Sequence, residues 1–336
     1  FVAARPADLE DESAHDFFSR RFGPGFARLA AAPLVSGVWA DDPATLSARS
    51  AFPALWEAEG RSGSVVKGLL SPPKGSGPRF RSRTISLRDG LGTLAERLAA
   101  TSQRAGVRVE LNAEILAIEG PFDEEAAGSV WKIQIADGTV YPADTLVCTL
   151  DARSLGSLLG TRLPRSASRL GALEYSRLAV VIQAFRPQEP GGAPRGFGVL
   201  VPRGEGFHSL GVLYLSSLFP SRVPEGVAVT TSFFGGALEP ALPDRTEGEL
   251  LALAEAEVRR LHPQIGPRFH GRVLKWPAAL PRLPLGHHAT LDLLDRDLAD
   301  LNAGSARPRL VVTGSWRDGL GLGERIARAE ELAPSL

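Results

Sequence analysis

Apolar positions recur with three different rhythms along the 336 residues. From the start to about residue 70 the rhythm is helical. Asp11 to Phe22 sets Phe17, Phe18 and Phe22 at near-helical spacing and stops at Gly23-Pro24. Apolar pieces from Phe26 to Trp39 and from Ala51 to Glu59 follow, punctuated by Pro33, Pro43 and Pro53, before the loop Ser71 to Pro78.

The second rhythm runs from Ile85 to about Thr149. Gly90 and Gly92 precede a helix from Thr93 to Gln103 with Leu94, Leu98 and Ala99 on one face, and Gly106 stops it. Strands are expected at Val107–Leu111, Ile115–Ile118 and Val130–Ile135, with a hairpin turn at Asp137-Gly138 leading into Val140. Leu146 to Thr149 reads as a short buried strand of the parallel type.

The third rhythm is strand-rich, with Leu178–Phe185, Phe197–Val201, Leu210–Leu215, Val227–Phe234 and Val273–Trp276. One helix interrupts it. Thr246 and Glu249 match a capping box ahead of the stripe Leu250, Leu253, Ala254, Val258, Leu261. The tail turns α/β again: a helix near Thr290–Leu301, a strand Leu310–Thr313, a glycine-spaced turn and a helix from about Glu324.

Composition narrows the class. With 43% hydrophobic and 23% charged residues the chain can bury a proper core, which excludes the disordered class. Lys+Arg and Asp+Glu both total 38, so no basic excess points to nucleic acid. The single cysteine, Cys148, forbids an internal disulfide framework and a cysteine-rich zinc site, and it reads as core. No apolar stretch approaches the roughly 18–20 residues of a membrane span. The chain opens at Phe1 and contains no methionine, which predicts a segment upstream of this sequence.

Candidate chemistry is concentrated in a few places. The strand Leu310 to Thr313 runs into Gly319-Leu-Gly-Leu-Gly323 and a helix, where glycines let backbone N–H groups approach a ligand. Its spacing is G-x-G-x-G, so cofactor contact and a plain glycine-rich turn both stay open. In Arg195 to Pro202, glycines flank Phe197, either to free its ring for a flat ligand or to make a bulge. Phe233-Phe234 before Gly235-Gly236 repeats the theme. Adjacent His287 and His288 would oppose each other on a strand and suit no metal. The basic run Lys74, Arg79, Arg81, Arg83, Arg88 reads as a solvated loop or a contact for anionic lipid heads.

Together these segments resemble the oxygen-dependent protoporphyrinogen oxidase family, in order along nearly the whole chain. Asp11-Glu-Ser13 with Arg20-Arg-Phe-Gly23 is similar to its D-E-S…R-R-F-G stretch. Ser36 to Pro43, Leu46-Ser47 and Phe52-Pro53 resemble its G-I-Y-A-G-D…L-S…F-P signature. Ser64 to Gly68, Ser86 to Leu94, Arg195 to Pro202, Pro281 to His287 and Gly314 to Ile326 follow as further family blocks. Departures exist: Gly323 and Glu324 stand where the family usually has Asn and Asp, and Leu283 where it usually has Tyr. The family's N-terminal G-x-G-x-x-G turn is not in this sequence.

The resemblance implies an α/β fold with α+β character. A partial FAD-binding, Rossmann-like domain is interleaved with a strand-rich substrate domain and a helical, membrane-associating lobe. Since such flavin folds are interrupted by substrate domains, the tail strand Leu310–Thr313 is expected in one sheet with Val107–Leu111 and Leu146–Thr149. The expected division is 1–80 for the lobe, 81–152 and 277–336 for the FAD domain, and 153–276 for the substrate domain. Ile115 is implied at the adenine end of FAD, with Trp276, Leu320, Gly321 and Leu322 along the isoalloxazine. Phe197, Gly198 and Leu200 would hold the tetrapyrrole and Phe233 would add an apolar wall; no side chain is assigned a catalytic role and no metal is implied. Phe197 is expected to face the Gly319–Gly323 turn and Trp276 across a cleft.

The implied activity is oxidation of protoporphyrinogen IX or coproporphyrinogen III by O2 in haem biosynthesis. Its setting would be cytoplasmic and peripheral on a membrane surface, with a homodimer allowed. The rival readings are another flavin amine oxidase or desaturase of the superfamily, and a flavin-free remnant acting as a binding protein. The lobe is expected to expose an apolar face built from Phe17, Phe18, Phe22 and Phe26.

Overall fold

A computed structural model describes residues 5–6, 8–70, 85–124 and 128–336. The loop at 71–78 and most of the basic run lie outside them. Helix α1 (Ala14–Phe22) begins where the Ser13 hydroxyl accepts the Asp16 N–H at 3.0 Å and ends at Gly23, whose φ of 89° suits glycine. The chain stays helical from Pro24 through a π turn into α2 (Ala32–Trp39), and α3 (Pro53–Ser62) completes a helical lobe. Phe17, Val35, Leu46 and Trp56 are its core, and Phe17 meets Phe18 edge-on at 5.3 Å.

Inside this lobe a charged cluster is walled off from water. The Glu59 carboxylate takes Arg20 at 2.6 Å and also Arg21, while Glu12 takes Arg20 from the other side. The acidic and double-arginine stretches of the sequence are therefore partners across the lobe. Asp11 ties the lobe to the chain's far end, accepting from the Ser47 hydroxyl and the Gly286 N–H, each at 2.9 Å. Leu283 plugs into the same core. Of the four phenylalanines, Phe17 and Phe18 turn inward, whereas Phe22 and Phe26 are 37% and 44% exposed.

The helix α4 (Gly92–Arg104) buries none of its residues. The segment Val107–Leu111, expected as a strand, is not one: no described strand pairs with its backbone, its contact with a later strand being by the Arg108 side chain on Tyr141, and Leu111 is 80% exposed. Strands β1 (Ile115–Glu124), β2 (Gly128–Ile135) and β3 (Val140–Ala143) form an antiparallel sheet turned at Gly138, where Asp137 accepts the Thr139 N–H at 2.8 Å. Strand β4 (Leu146–Cys148) pairs in parallel with β10 (Leu310–Val312), so the tail does return to the middle of the chain.

Helices α5 (Ala152–Leu159) and α6 (Ala167–Gly171) cover this pair together with α8 (His287–Asn302). Their core holds Trp131, Leu155, Leu159, Leu163, Leu170, Leu294, Leu310 and Trp316. By packing, then, the stretch 153–173 sits with the α/β body and not with the strands that follow it. Asp297 of α8 fixes the α5–α6 connection, accepting from the Ser166 N–H at 3.0 Å and its hydroxyl at 2.8 Å.

The remaining strands make a five-stranded antiparallel sheet in the order β6-β7-β8-β5-β9. They are β5 (Tyr175–Phe185), β6 (Gly198–Leu200), β7 (Ser209–Tyr214), β8 (Ala228–Gly235) and β9 (Arg268–Pro281). Helix α7 (Glu247–Leu261) closes one face; its capping box is in place, and Leu250 and Ala254 pack on Ala179, Val181 and Phe234. Strand alternation sends Leu178, Val180 and Phe233 to the opposite face, and Trp276 pairs in register with Leu178. That second face looks toward α2.

Candidate functional site

Two adjoining cavities share Val38 of α2 as a wall. The larger, about 780 Å³, lies between the lobe and the tail and is lined by Trp39, Trp56, His287, Trp316, Leu320 and Gly321 among others. The smaller, about 380 Å³, lies over the open face of the five-stranded sheet, with Gly37, Leu178, Phe233, Trp276 and Leu280 in its lining. Volumes of this size suit organic ligands, and the smaller cavity is walled almost entirely by carbon.

The glycine turn is held by a chain of hydrogen bonds. Where β10 ends, the Thr313 N–H donates to the Cys148 carbonyl at 3.0 Å, carrying the parallel pairing one residue on. The short helix α9 (Ser315–Asp318) follows. Asp318 accepts from the Thr313 hydroxyl at 2.8 Å and the Gly314 N–H at 3.0 Å, and pairs with Arg325 at 3.2 Å. The Trp316 indole N–H donates to the Leu150 carbonyl at 3.1 Å, and the Trp316 carbonyl accepts from His287 at 2.8 Å.

A carbonyl can only accept, so the proton of His287 sits on Nε2 and the lone pair on Nδ1, which is buried without a partner. Burial pulls the His287 pKa below its ordinary value, against the opposing effect of the bond to Trp316. The two histidines open α8 instead of lying on a strand, because Gly286 at φ 75° turns the chain into the helix.

The last helix, α10 (Leu322–Leu332), starts two residues before Glu324, whose carboxylate folds back to accept the Gly321 N–H at 3.0 Å. That fold-back fills the space over Gly319, where φ is 104° and an added Cβ would run into the Glu324 carboxylate. The first-turn N–H groups of Leu322 and Gly323 have no partner within the helix.

The structure brings some of the expected site residues together and leaves others apart. Leu320 and Gly321 line the larger cavity; Phe233 and Trp276 line the smaller. Leu200 leans on α2 at Gly37, where a Cβ would collide with it, and so reaches the edge of the smaller cavity. Phe197 stands 63% exposed at the head of the edge strand β6 and is in neither lining, so it does not face the glycine turn as expected. Gly198, at φ 156°, presses on the Val212 carbonyl and serves the β6–β7 pairing. Ile115 pairs with Ile135 and packs on the α/β core, and Leu322 is 45% exposed; neither lines either of these two cavities.

Sequence reasoning gave no site role to Val38, Trp39 and Trp316 and weighed His287 only as a metal ligand. All four fall within the motif blocks Ser36 to Pro43, Pro281 to His287 and Gly314 to Ile326, which was the signal available for them.

The residues present fit the flavin that the resemblance implies. The first-turn N–H groups of Leu322 and Gly323 open a helix on one side, where the Glu324 carboxylate covers Gly319 and takes the Gly321 N–H, and the apolar lining of Phe233 and Trp276 lies on the other.

Comparison with known proteins bears on the same point. A family model described as flavin containing amine oxidoreductase matches residues 2–324. The chain is 30% identical to protoporphyrinogen oxidase 1, chloroplastic, of Arabidopsis thaliana, over 96% of this chain and 62% of that protein. It is 30% identical to protoporphyrinogen oxidase of Bos taurus, over 96% and 68%, and 23% identical to coproporphyrinogen III oxidase of Bacillus subtilis, over 96% and 66%. It spans 61% to 64% of the length of the chloroplast relatives from Arabidopsis, spinach, rice and tobacco.

A solved structure from Exiguobacterium sp. shares the fold at a TM-score of 0.74 and 20% identity, covering 98% of this chain and 68% of that one. Cyclohexylamine oxidase from Brevibacterium oxydans shares it at 0.59 and 16%, covering 97% and 69%. With the family model matched from end to end and the ordered motifs beneath it, the chain belongs to the flavin containing amine oxidoreductase family, alongside the protoporphyrinogen and coproporphyrinogen oxidases.

Proposed function

We propose that the protein is an FAD-dependent, oxygen-using oxidase of a porphyrinogen, either protoporphyrinogen IX or coproporphyrinogen III. The observation that carries this is the junction of the two cavities at Val38, which sets the Leu320-Gly321 turn beside the apolar slot of Phe233 and Trp276. FAD, when bound, supplies the acceptor for hydride from a bridging carbon of the macrocycle and hands the electrons on to O2. The work left to this chain is positioning. The first-turn N–H groups of Leu322 and Gly323 at the N-terminus of α10 favour an electron-rich ring edge, and the Glu324 carboxylate has to swing off Gly319 and Gly321 before their backbone can meet it. Phe233, Leu178 and Trp276 offer a flat apolar surface with no charge at its centre, which suits a tetrapyrrole.

No helix among the described residues is long and apolar enough to cross a membrane. The exposed side chains of Phe22, Phe26 and Leu34 on one lobe support a peripheral contact with a lipid surface.

The test compares substrates. The purified protein is supplied with FAD and O2 and offered protoporphyrinogen IX, coproporphyrinogen III or benzylamine, with porphyrin fluorescence and peroxide as readouts. Formation of either porphyrin above the spontaneous rate supports the reading. Peroxide from the amine alone would move the protein to the amine oxidases.

A further inference from the structure

The lobe side of the larger cavity carries two arginines that the reading above does not use. Arg5 donates from Nε and Nη2 to the Leu9 carbonyl at 3.3 and 2.9 Å, and its guanidinium lies 3.8 Å over the ring of Trp56. Arg49 donates from Nη1 to the next carbonyl along, Glu10, at 3.0 Å. Both are half-buried and both line the cavity. Neither makes an ion pair with a carboxylate among the described residues.

The acids nearby are engaged elsewhere. Glu12 takes Arg20, Asp11 takes Ser47 and Gly286, and Glu57 takes Arg61 at 3.5 Å. Across the cavity Asp318 is held by Arg325 and Glu324 by the Gly321 N–H. Burial and the neighbouring Arg49 both pull the Arg5 pKa down, while Glu12 and Asp11 oppose them. Two guanidiniums are therefore anchored to consecutive neutral carbonyls on one cavity wall, with donors left over: Nη1 of Arg5, and Nε and Nη2 of Arg49. Fixed like charges in a partly desolvated wall repel each other, and a shared anion removes that repulsion while matching the planar fork of each head.

We infer that Arg5 and Arg49 form an oxyanion site on the lobe wall of the larger cavity, taking a phosphate or carboxylate group of whatever the cavity binds. The site rests on charge and geometry alone. Only the naming of its two sources, the diphosphate of a dinucleotide cofactor or the acid side chains of a tetrapyrrole, rests on the proposed function.

The experiment uses neither flavin nor porphyrinogen. The purified protein is titrated with inorganic pyrophosphate and, separately, with glutarate, following tryptophan fluorescence, since Trp56 lies directly under Arg5. A saturable change with either probe is expected, weakened by salt and at least about tenfold weaker in Arg49→Gln. Arg28→Gln, at an exposed position on the same lobe and outside the cavity lining, should bind as the parent does. Binding of pyrophosphate alone assigns cofactor phosphates, binding of glutarate alone assigns substrate carboxylates, and binding of both supports a general oxyanion site. No binding by either probe, or equal affinity in Arg49→Gln, overturns the site and leaves the oxidase reading untouched.

Discussion

Replacing Phe233 by alanine separates a ligand-facing ring from a core ring within one dipeptide. Phe233 and Phe234 are neighbours on β8, yet strand alternation puts Phe234 at 0% exposure under α7 and Phe233 in the lining of the smaller cavity. Full burial of a phenylalanine is worth about 1.5–3 kcal/mol, and Phe233 is only half-buried, so its loss should cost about 1–2 kcal/mol. The truncation widens an existing cavity and leaves no sealed void. Phe234→Ala empties a closed core position and should cost about 3–5 kcal/mol. Urea unfolding of both variants measures the difference. On the binding side, a lost stacking contact of about 0.5–1.5 kcal/mol should weaken porphyrin affinity roughly two- to tenfold in Phe233→Ala, read by quenching of porphyrin fluorescence. Equal destabilisation by the two substitutions, or unchanged porphyrin affinity in Phe233→Ala, would refute the placement of the substrate slot.

Gly319→Ala should lower stability by about 1–3 kcal/mol and weaken FAD retention on gel filtration, since a φ of 104° strains any L side chain and the new Cβ displaces the Glu324 carboxylate; Gly323→Ala, with open space around it, should do neither. Because burial depresses the His287 pKa, the unfolded chain takes up this proton first. Its stabilising contribution is present above about pH 6.5 and is lost as the pH falls below that, so the drop in urea midpoint from about pH 7.5 to about pH 5.5 should be smaller in His287→Gln than in the parent. Glu59→Gln should cost about 3–5 kcal/mol by thermal unfolding, because it leaves the buried Arg21 charge without its carboxylate and facing only neutral oxygens, the new amide and the Gly63 carbonyl; a change under 1 kcal/mol would show that water reaches the cluster.

What could be read from the sequence follows how local each cause is. The capping box at Thr246 and Glu249 needs four residues, and the Asp137-Gly138 hairpin fewer; both were visible at once. The tail strand's pairing with β4 came from the order of family motifs, since no local pattern links Leu310 to Leu146. Val107–Leu111 has a strand's alternation, but a strand also needs a neighbour, which no alternation reports. Phe197 illustrates the same limit. Its flanking glycines do leave the ring exposed, yet the cavity it was expected to face is decided by where the edge strand lies. His287 was misread because a helix beginning at a glycine with positive φ has no side-chain cap to announce it. The stacking of Arg5 on Trp56 joins residues far apart in sequence and leaves no trace in spacing.

The central claim is that a flavin on the Gly319–Gly321 turn receives electrons from a porphyrinogen in the adjoining slot. Anaerobic mixing tests it most directly. The protein loaded with FAD is combined with protoporphyrinogen IX or coproporphyrinogen III in the absence of O2, and the flavin's visible absorbance is followed. The account predicts that the flavin band bleaches as porphyrin appears and returns when O2 is admitted. A band that stays unchanged while porphyrinogen is present in excess would contradict it.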